Sequence, residues 1–182
     1  MKSATLSICM EIVINDTNIL IDLYNAGLLP YCKKLNLDFR TLDVVINEIE
    51  DSEQYTAVQS IIDEGTLSVY SLSGEQVGTV FQKVAEYNGV CNLSVEDISV
   101  MVYAIDNNCR LLTGDKKLKD KATLENVKVS GILFLTDMLT KESVIDGGEM
   151  ITALERLLSS NSRLPKKLIK ERIETLKRQT AL

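Results

Sequence analysis

The sequence contains no histidine. A Ser-His-Asp or Cys-His nucleophile system is therefore excluded, and no imidazole can act as general base. Any acid–base chemistry falls to carboxylates, lysines or a bound metal. The cysteines Cys9, Cys32, Cys91 and Cys109 are scattered without a C-x-x-C pair. That argues against zinc and against a disulfide framework, and for reduced, mostly buried thiols. Long hydrophobic runs are missing too. No apolar stretch is long enough to span a bilayer, and the N-terminus lacks a basic segment leading into a signal-like apolar region. A cytoplasmic protein with no membrane contact is expected. No repeat, low-complexity linker or G-x-x-x-x-G-K-[ST] phosphate loop occurs.

What is present suits one globular domain: 182 residues, 45% apolar and 25% charged, are enough for a real core. The net charge of −6 argues mildly against a broad nucleic-acid-binding surface, though not against a local one.

The β-branched run Ile12-Val13-Ile14 reads as a buried strand that stops at Asp16, and Ile19, Leu20 and Leu23 then recur at helical spacing. In an open α/β sheet, ligands bind where strand ends meet the following helices, so Asp16 stands where a carboxylate reaches a site. The helical pattern covers 18–37, broken at Gly27 and reopened by Pro30. A second strand is expected over Leu42–Ile46, followed by Asn47-Glu48-Ile49 and a helix to about Glu64. Thr66–Tyr70 reads as a third strand. A helix over 74–88 follows, with Val77, Val80, Phe81 and Val84 on one face and Asn88-Gly89 at its end.

An amphipathic helix is expected from Ser94 to about Asn108, with Ile98, Met101, Val102 and Ile105 on one face. Asp97 lies at the edge of that face, and Glu96 points to solvent. Next come a strand over Arg110–Thr113, the turn Gly114-Asp115, a helix from about Lys116 to Leu124, and a last strand over Gly131–Leu135. Such alternation implies right-handed crossovers and a mostly parallel sheet between helices, a three-layer α/β/α architecture.

Helices near 147–160 and 164–179 form a C-terminal extension (146–182) expected to pack on the 1–145 domain, with Pro165 in the first turn of the second. Leu164, Leu168, Ile169, Ile173 and Leu176 give that helix an apolar stripe. Its other face, Lys166, Lys167, Lys170, Arg172, Lys177 and Arg178, is either a solvated surface or a contact for RNA or a partner.

Four acids end or open these elements: Asp16, Glu48, Asp97 and Asp115. Each has a local explanation. Asp16 can cap a helix, and Glu48 can be a first-turn acid beside Glu50, Asp51 and Glu53. Asp97 can close a capping box with Ser94, and Asp115 can be a turn residue. Together, however, they fall at one pole of the sheet, which independent caps do not require. Converging carboxylates repel unless a cation neutralises them, and oxygen-only ligands suit Mg²⁺ or Mn²⁺.

The ordered set Ile12-Val13-Ile14-Asn15-Asp16-Thr17-Asn18, Val44-Val45-Ile46-Asn47-Glu48-Ile49, Leu93-Ser94-Val95-Glu96-Asp97-Ile98 and Leu111-Leu112-Thr113-Gly114-Asp115 resembles the PIN domain, a compact metal-dependent nuclease fold. The resemblance covers about residues 11–135. It implies an RNA-cleaving site in which Asp16, Glu48, Asp97 and Asp115 bind one or two divalent ions. It also implies that Thr17, Asn18 and Thr113 support those acids or position phosphate. By length the chain is similar to the toxin ribonucleases of toxin–antitoxin pairs, often called VapC-type. That likeness implies a small antitoxin partner and a homodimer, for which the C-terminal apolar stripe is a candidate surface. The last third extends past a minimal PIN core, and its basic helix has no counterpart in the pattern. Lys166, Lys167 and Lys170 are the expected RNA contacts there.

Two phosphoryl-chemistry folds match less well. A haloacid-dehalogenase-like phosphatase needs a second Asp two residues after the first, where Asn18 stands, and a receiver domain needs a Lys after the last strand, where Thr136-Asp137 stands. A PIN-like module that binds RNA or protein without cleavage is the alternative of a different class.

Overall fold

A computed structural model describes residues 10–88, 91–160 and 163–180; Cys9 and Gly89 lie outside them. The first strand, β1 (Glu11–Asn15), runs through the middle of a five-stranded sheet. Val13 and Ile14 are wholly buried there, as an unbroken apolar run in a doubly covered strand should be. Helix α1 (Thr17–Ala26) follows and ends at Gly27, whose φ of +73° closes the last turn. A 3-10 helix (Leu29–Lys34) then leads to β2 (Leu37–Leu42).

The helical pattern therefore stops short of 37, and the second strand lies earlier in the chain than Leu42–Ile46. Asp43–Ile46 is instead a short helix, α2. Asp43 turns the chain there: its Oδ1 accepts from the Val44 N–H at 2.8 Å. In β2 the polar residues Asp38 and Arg40 alternate with buried Leu37, Phe39 and Thr41, and the guanidinium holds the Asp38 carboxylate at 2.6 Å. This pairing makes a strand of a segment whose composition hides it.

Next come α3 (Ser52–Asp63), β3 (Leu67–Tyr70), α4 (Gly74–Tyr87), α5 (Val95–Asp106) and β4 (Arg110–Leu112). Helix α5 is less amphipathic in place than expected. Val100, Tyr103 and Ala104 are buried along with Ile98, Met101 and Val102, because α4 packs over its outer side. On α4 itself Val80 is buried, whereas Val77 and Phe81 face outward, Phe81 being 64% exposed.

Helix α6 (Lys116–Leu124) spans the expected residues, but β5 is only Val129–Ser130. The run read as the last strand is helix α7 (Ile132–Lys141), with Gly131 extended ahead of it. Ile132, Leu133, Leu135, Thr136 and Leu139 are buried there at spacings of one, two, one and three residues, which is one helical face.

All strand pairs are parallel, in the order β3-β2-β1-β4-β5. The chain builds outward from β1 to β3, then returns to the other side of β1. With right-handed crossovers the two directions put helices on opposite faces. On one side α1 meets α3 and α7, and α5 is covered by α4 and α6 on the other.

Two helices close the described chain, α8 (Gly147–Ser160) and α9 (Lys166–Thr180). Helix α8 packs on α1, and α9 packs on α8. Pro165 stands one residue ahead of α9, and its carbonyl accepts from Ile169 N–H. The apolar stripe of α9 is consumed in this packing: Leu164, Ile169, Ile173 and Leu176 are buried, and Leu168 alone of the stripe is exposed. It is therefore not a free surface for self-association, and a homodimer has to use another face. Among the described residues, no helix is long and apolar enough to cross a membrane.

Candidate active site

Strand order reverses between β1 and β4, and their carboxyl ends lie side by side. Asp16 follows β1 directly, its N–H bonded to the Leu112 carbonyl of β4 at 3.0 Å. Its side chain makes no capping bond to α1, so the helix-cap explanation does not hold for it. Instead Oδ2 accepts from Thr113 Oγ1 at 2.8 Å and from Asn18 Nδ2 at 3.3 Å. Thr113 in turn accepts from the Asp115 N–H at 3.0 Å, tying the β4–α6 turn to the same carboxylate. Asp16 is 3% exposed. Burial pushes its carboxyl up to about 6, the hydroxyl of Thr113 opposes that, and the Asp97 charge adds to it.

Glu48 lies just past α2 and not in the first turn of α3, whose N-terminus is capped by Asp51. The helix-dipole explanation therefore belongs to Glu53, the acid that does sit in that first turn. Thr17, the residue after Asp16, donates its hydroxyl to Glu48 Oε2. Burial raises the Glu48 carboxyl, the Thr17 bond lowers it, and the charges of Glu96 and Asp97 raise it further.

Asp97 and Asp115 do make the local bonds their positions suggest. Asp97 and Ser94 form a reciprocal capping box on α5 (2.9 and 3.0 Å), and Asp115 Oδ1 accepts from the Leu118 N–H at 2.8 Å. Those bonds fix the two side chains without separating them from the others. Burial raises the Asp97 carboxyl, and the charges of Asp115 and Glu96 add to that. Asp97 is thus the acid whose field reaches both Asp16 and Glu48, and it is itself raised by Asp115.

Glu96 departs from expectation. It is half-buried, and its charge acts on both Glu48 and Asp97. Helical phase assigned it to solvent, but side chains in a first turn lean toward the N-terminus with no preceding turn to screen them. Glu96→Gln is therefore expected to let Glu48 and Asp97 ionise at lower pH. Carboxylate titration by NMR checks this, and unchanged titration of both acids would put Glu96 outside the set. Asp22, outside the set of motif acids, is a buried acid on the otherwise apolar face of α1. A side chain added at Gly114 would lie 4.0 Å from its Oδ2. Its signal was an acid between Leu20 and Leu23 of that face.

Asp97 thus acts on Asp16 and Glu48 through its charge, Asp115 acts on Asp97, and Thr17, Asn18 and Thr113 hold Asp16 and Glu48 in place. None of the four acids is in a salt bridge with a Lys or Arg among the described residues. Glu48 and Asp115 each keep one carboxylate oxygen outside the hydrogen bonds of those residues. This donor set is all oxygen and carries uncompensated negative charge, which is the chemistry a hard divalent cation requires. Among the described residues, no three acidic or thiol side chains lie close enough to enclose an ion as they stand. Lys166, Lys167 and Lys170 are exposed on α9.

A comparison with curated proteins finds no match. Among solved structures, the chain is similar to VapBC2 from Rickettsia felis, crystallised with a DNA fragment from its promoter, at 19% identity and a TM-score of 0.46. That match covers 66% of this chain and 98% of the other. It is also similar to FitAcB from Neisseria gonorrhoeae, at 12% identity and a TM-score of 0.42, covering 64% of this chain and 95% of that one. The family model DUF3368, described as a PIN domain, matches residues 12–178, nearly the whole sequence and α8 and α9 with it. The chain belongs to the PIN-domain family.

Proposed function

We propose that this protein is an endoribonuclease that depends on a divalent cation, Mg²⁺ or Mn²⁺, held by Asp16, Glu48, Asp97 and Asp115. Membership of the PIN-domain family supports a nuclease, a hydrolase at the coarse level. The observation that carries the finer reading is Asp16: a buried carboxyl at the switch point, lifted to about 6, without a cationic side chain among the described residues to offset it. Such a group is costly unless something positive joins it.

When bound, a cation of this class lowers the pKa of a coordinated water and stabilises charge on the scissile phosphate and leaving oxygen. The chain's own residues supply the rest. Thr113 and Asn18 hold Asp16 Oδ2 in place, Thr17 orients Glu48, and the caps on α5 and α6 fix Asp97 and Asp115. No histidine is required, which agrees with the composition. Asp16, Thr17 and Thr113 are shielded, so their hydrogen bonds are stronger than in water.

Purified protein with Mn²⁺ is expected to cut single-stranded or structured RNA internally, with all cleavage lost in EDTA. Intact RNA across a broad panel would leave the non-cleaving binding module as the reading. The toxin role and a small antitoxin partner rest on the sequence resemblance. They are tested by an open reading frame for a small protein beside the gene, and by co-purification of its product.

A further inference from the structure

Beside the candidate active site runs a groove of about 490 Å³, whose lining includes Thr113, Gly114, Lys116, Lys119 and Arg163. Pro165, just ahead of α9, and Leu168, in its first turn, form part of its apolar lining. Thr113 is the residue that donates to Asp16, so groove and carboxylates share a wall. Lys116 and Lys119 sit three residues apart on one face of α6, both exposed and neither in a salt bridge among the described residues. Arg172 also borders the groove but is held by Asp137 at 2.6 Å, and Asp120 is the acid in the lining. In a chain of net charge −6 this is a local excess of positive charge next to the acids. The first residues of α7 border it as well, and a helix N-terminus favours negative charge.

We infer that this groove carries the RNA strand on one side of the scissile phosphate, with Lys116 and Lys119 as the phosphate contacts, in place of the outward lysines of α9. The inference rests on the nuclease reading above. Lys166, Lys167 and Lys170 do not line the groove, whose α9 border is Pro165, Leu168 and Arg172. Among the described residues no aromatic side chain lines it either, so these residues offer bases no stacking platform there. Binding is then dominated by phosphate contacts. It depends steeply on salt and discriminates little among bases.

The test uses the full chain carrying Asp16→Asn, in EDTA, so that a short labelled single-stranded RNA is bound and not cut. Lys116→Ala with Lys119→Ala is expected to weaken binding at low salt at least about fivefold and to flatten the log–log salt slope by about 1.4, close to 0.7 per contact. Lys166→Ala, Lys167→Ala and Lys170→Ala together are expected to leave the slope nearly unchanged. All these lysines are exposed, so folding is retained and a thermal melt verifies it. A flattened slope in the α9 triple variant with none in the α6 pair would overturn the inference and return the contact to α9. Unchanged RNA binding in the α6 pair, with loss of binding to polyglutamate, would overturn it in favour of an acidic protein segment. Failure of the nuclease reading shows separately, as intact RNA when the wild-type chain is incubated with Mn²⁺.

Discussion

Asp16→Asn is expected to remove RNA cleavage and, at the same time, to make the metal-free protein more stable at neutral pH. The first effect follows from charge. An amide cannot supply the negative charge that holds a hard cation, and such an ion contributes several kcal/mol of charge stabilisation. At about 1.4 kcal/mol per tenfold, the loss is at least about 100-fold. The second effect follows from burial. The Asp16 carboxyl titrates near 6 in the fold against 3.8 in a model peptide. The folded state therefore holds a proton that the unfolded state has already released, and stability falls as pH rises from about 4 to about 6. Above that range the ionised group costs up to about 3 kcal/mol, which an uncharged side chain of the same shape does not incur. The Asn oxygen can still accept from Thr113 and Asn18. Melts in EDTA should place the variant above the wild type at pH 7.5, with the gap cut to about 1 kcal/mol at pH 4.5. A variant less stable than the wild type at both values would mean that Asp16 is a structural carboxylate, and the site reading would lose its main support. A variant with undiminished cleavage would trace the activity to a contaminant.

These opposed effects show why part of the site was legible in the sequence and part was not. Asp16, Asp97 and Asp115 stand at ends of elements that strong local signals define: a β-branched run, a Ser-x-x-Asp box, and a strand closed by Thr-Gly-Asp. Glu48 is singled out by motif alone, and the segment expected to be the strand before it is a short helix. Val44-Val45-Ile46 has strand composition, but Asp43 turns the chain and β2 is already complete at Leu42. In Ile132-Leu133-Phe134-Leu135 the ambiguity is of another kind. A short continuous apolar run fits a buried strand or a buried helix equally, and only packing decides between them. Glu96 was misjudged because helical phase says nothing about the reach of a first-turn side chain. Capping does not exclude a place among the acids: Asp97 caps α5 and still acts on Asp16 and Glu48, and Asp115 caps α6 and still acts on Asp97. The capping bonds hold like charges near one another where free side chains would swing apart.

Mn²⁺ is expected to raise the melting temperature of the wild type, by an amount that depends on pH. A ligand of the native state alone stabilises it by RT ln(1 + [L]/Kd), about 2.7 kcal/mol at a concentration of 100 Kd. The ion and protons compete for the same carboxylates. Burial raises Asp16, Glu48 and Asp97, Asp16 to about 6, so at pH 5 Asp16 is largely protonated and the cation must displace its proton. At pH 7.5 that proton is already gone, and the repulsion among the acids is what the ion relieves. The thermal shift on adding millimolar Mn²⁺ should therefore be large at pH 7.5 and small at pH 5, with most of the change near pH 6. In Asp16→Asn it should be small at both. Equal shifts at the two pH values, or an equal shift in the variant, would assign the ion to some other part of the surface and leave the four acids without a shared ligand.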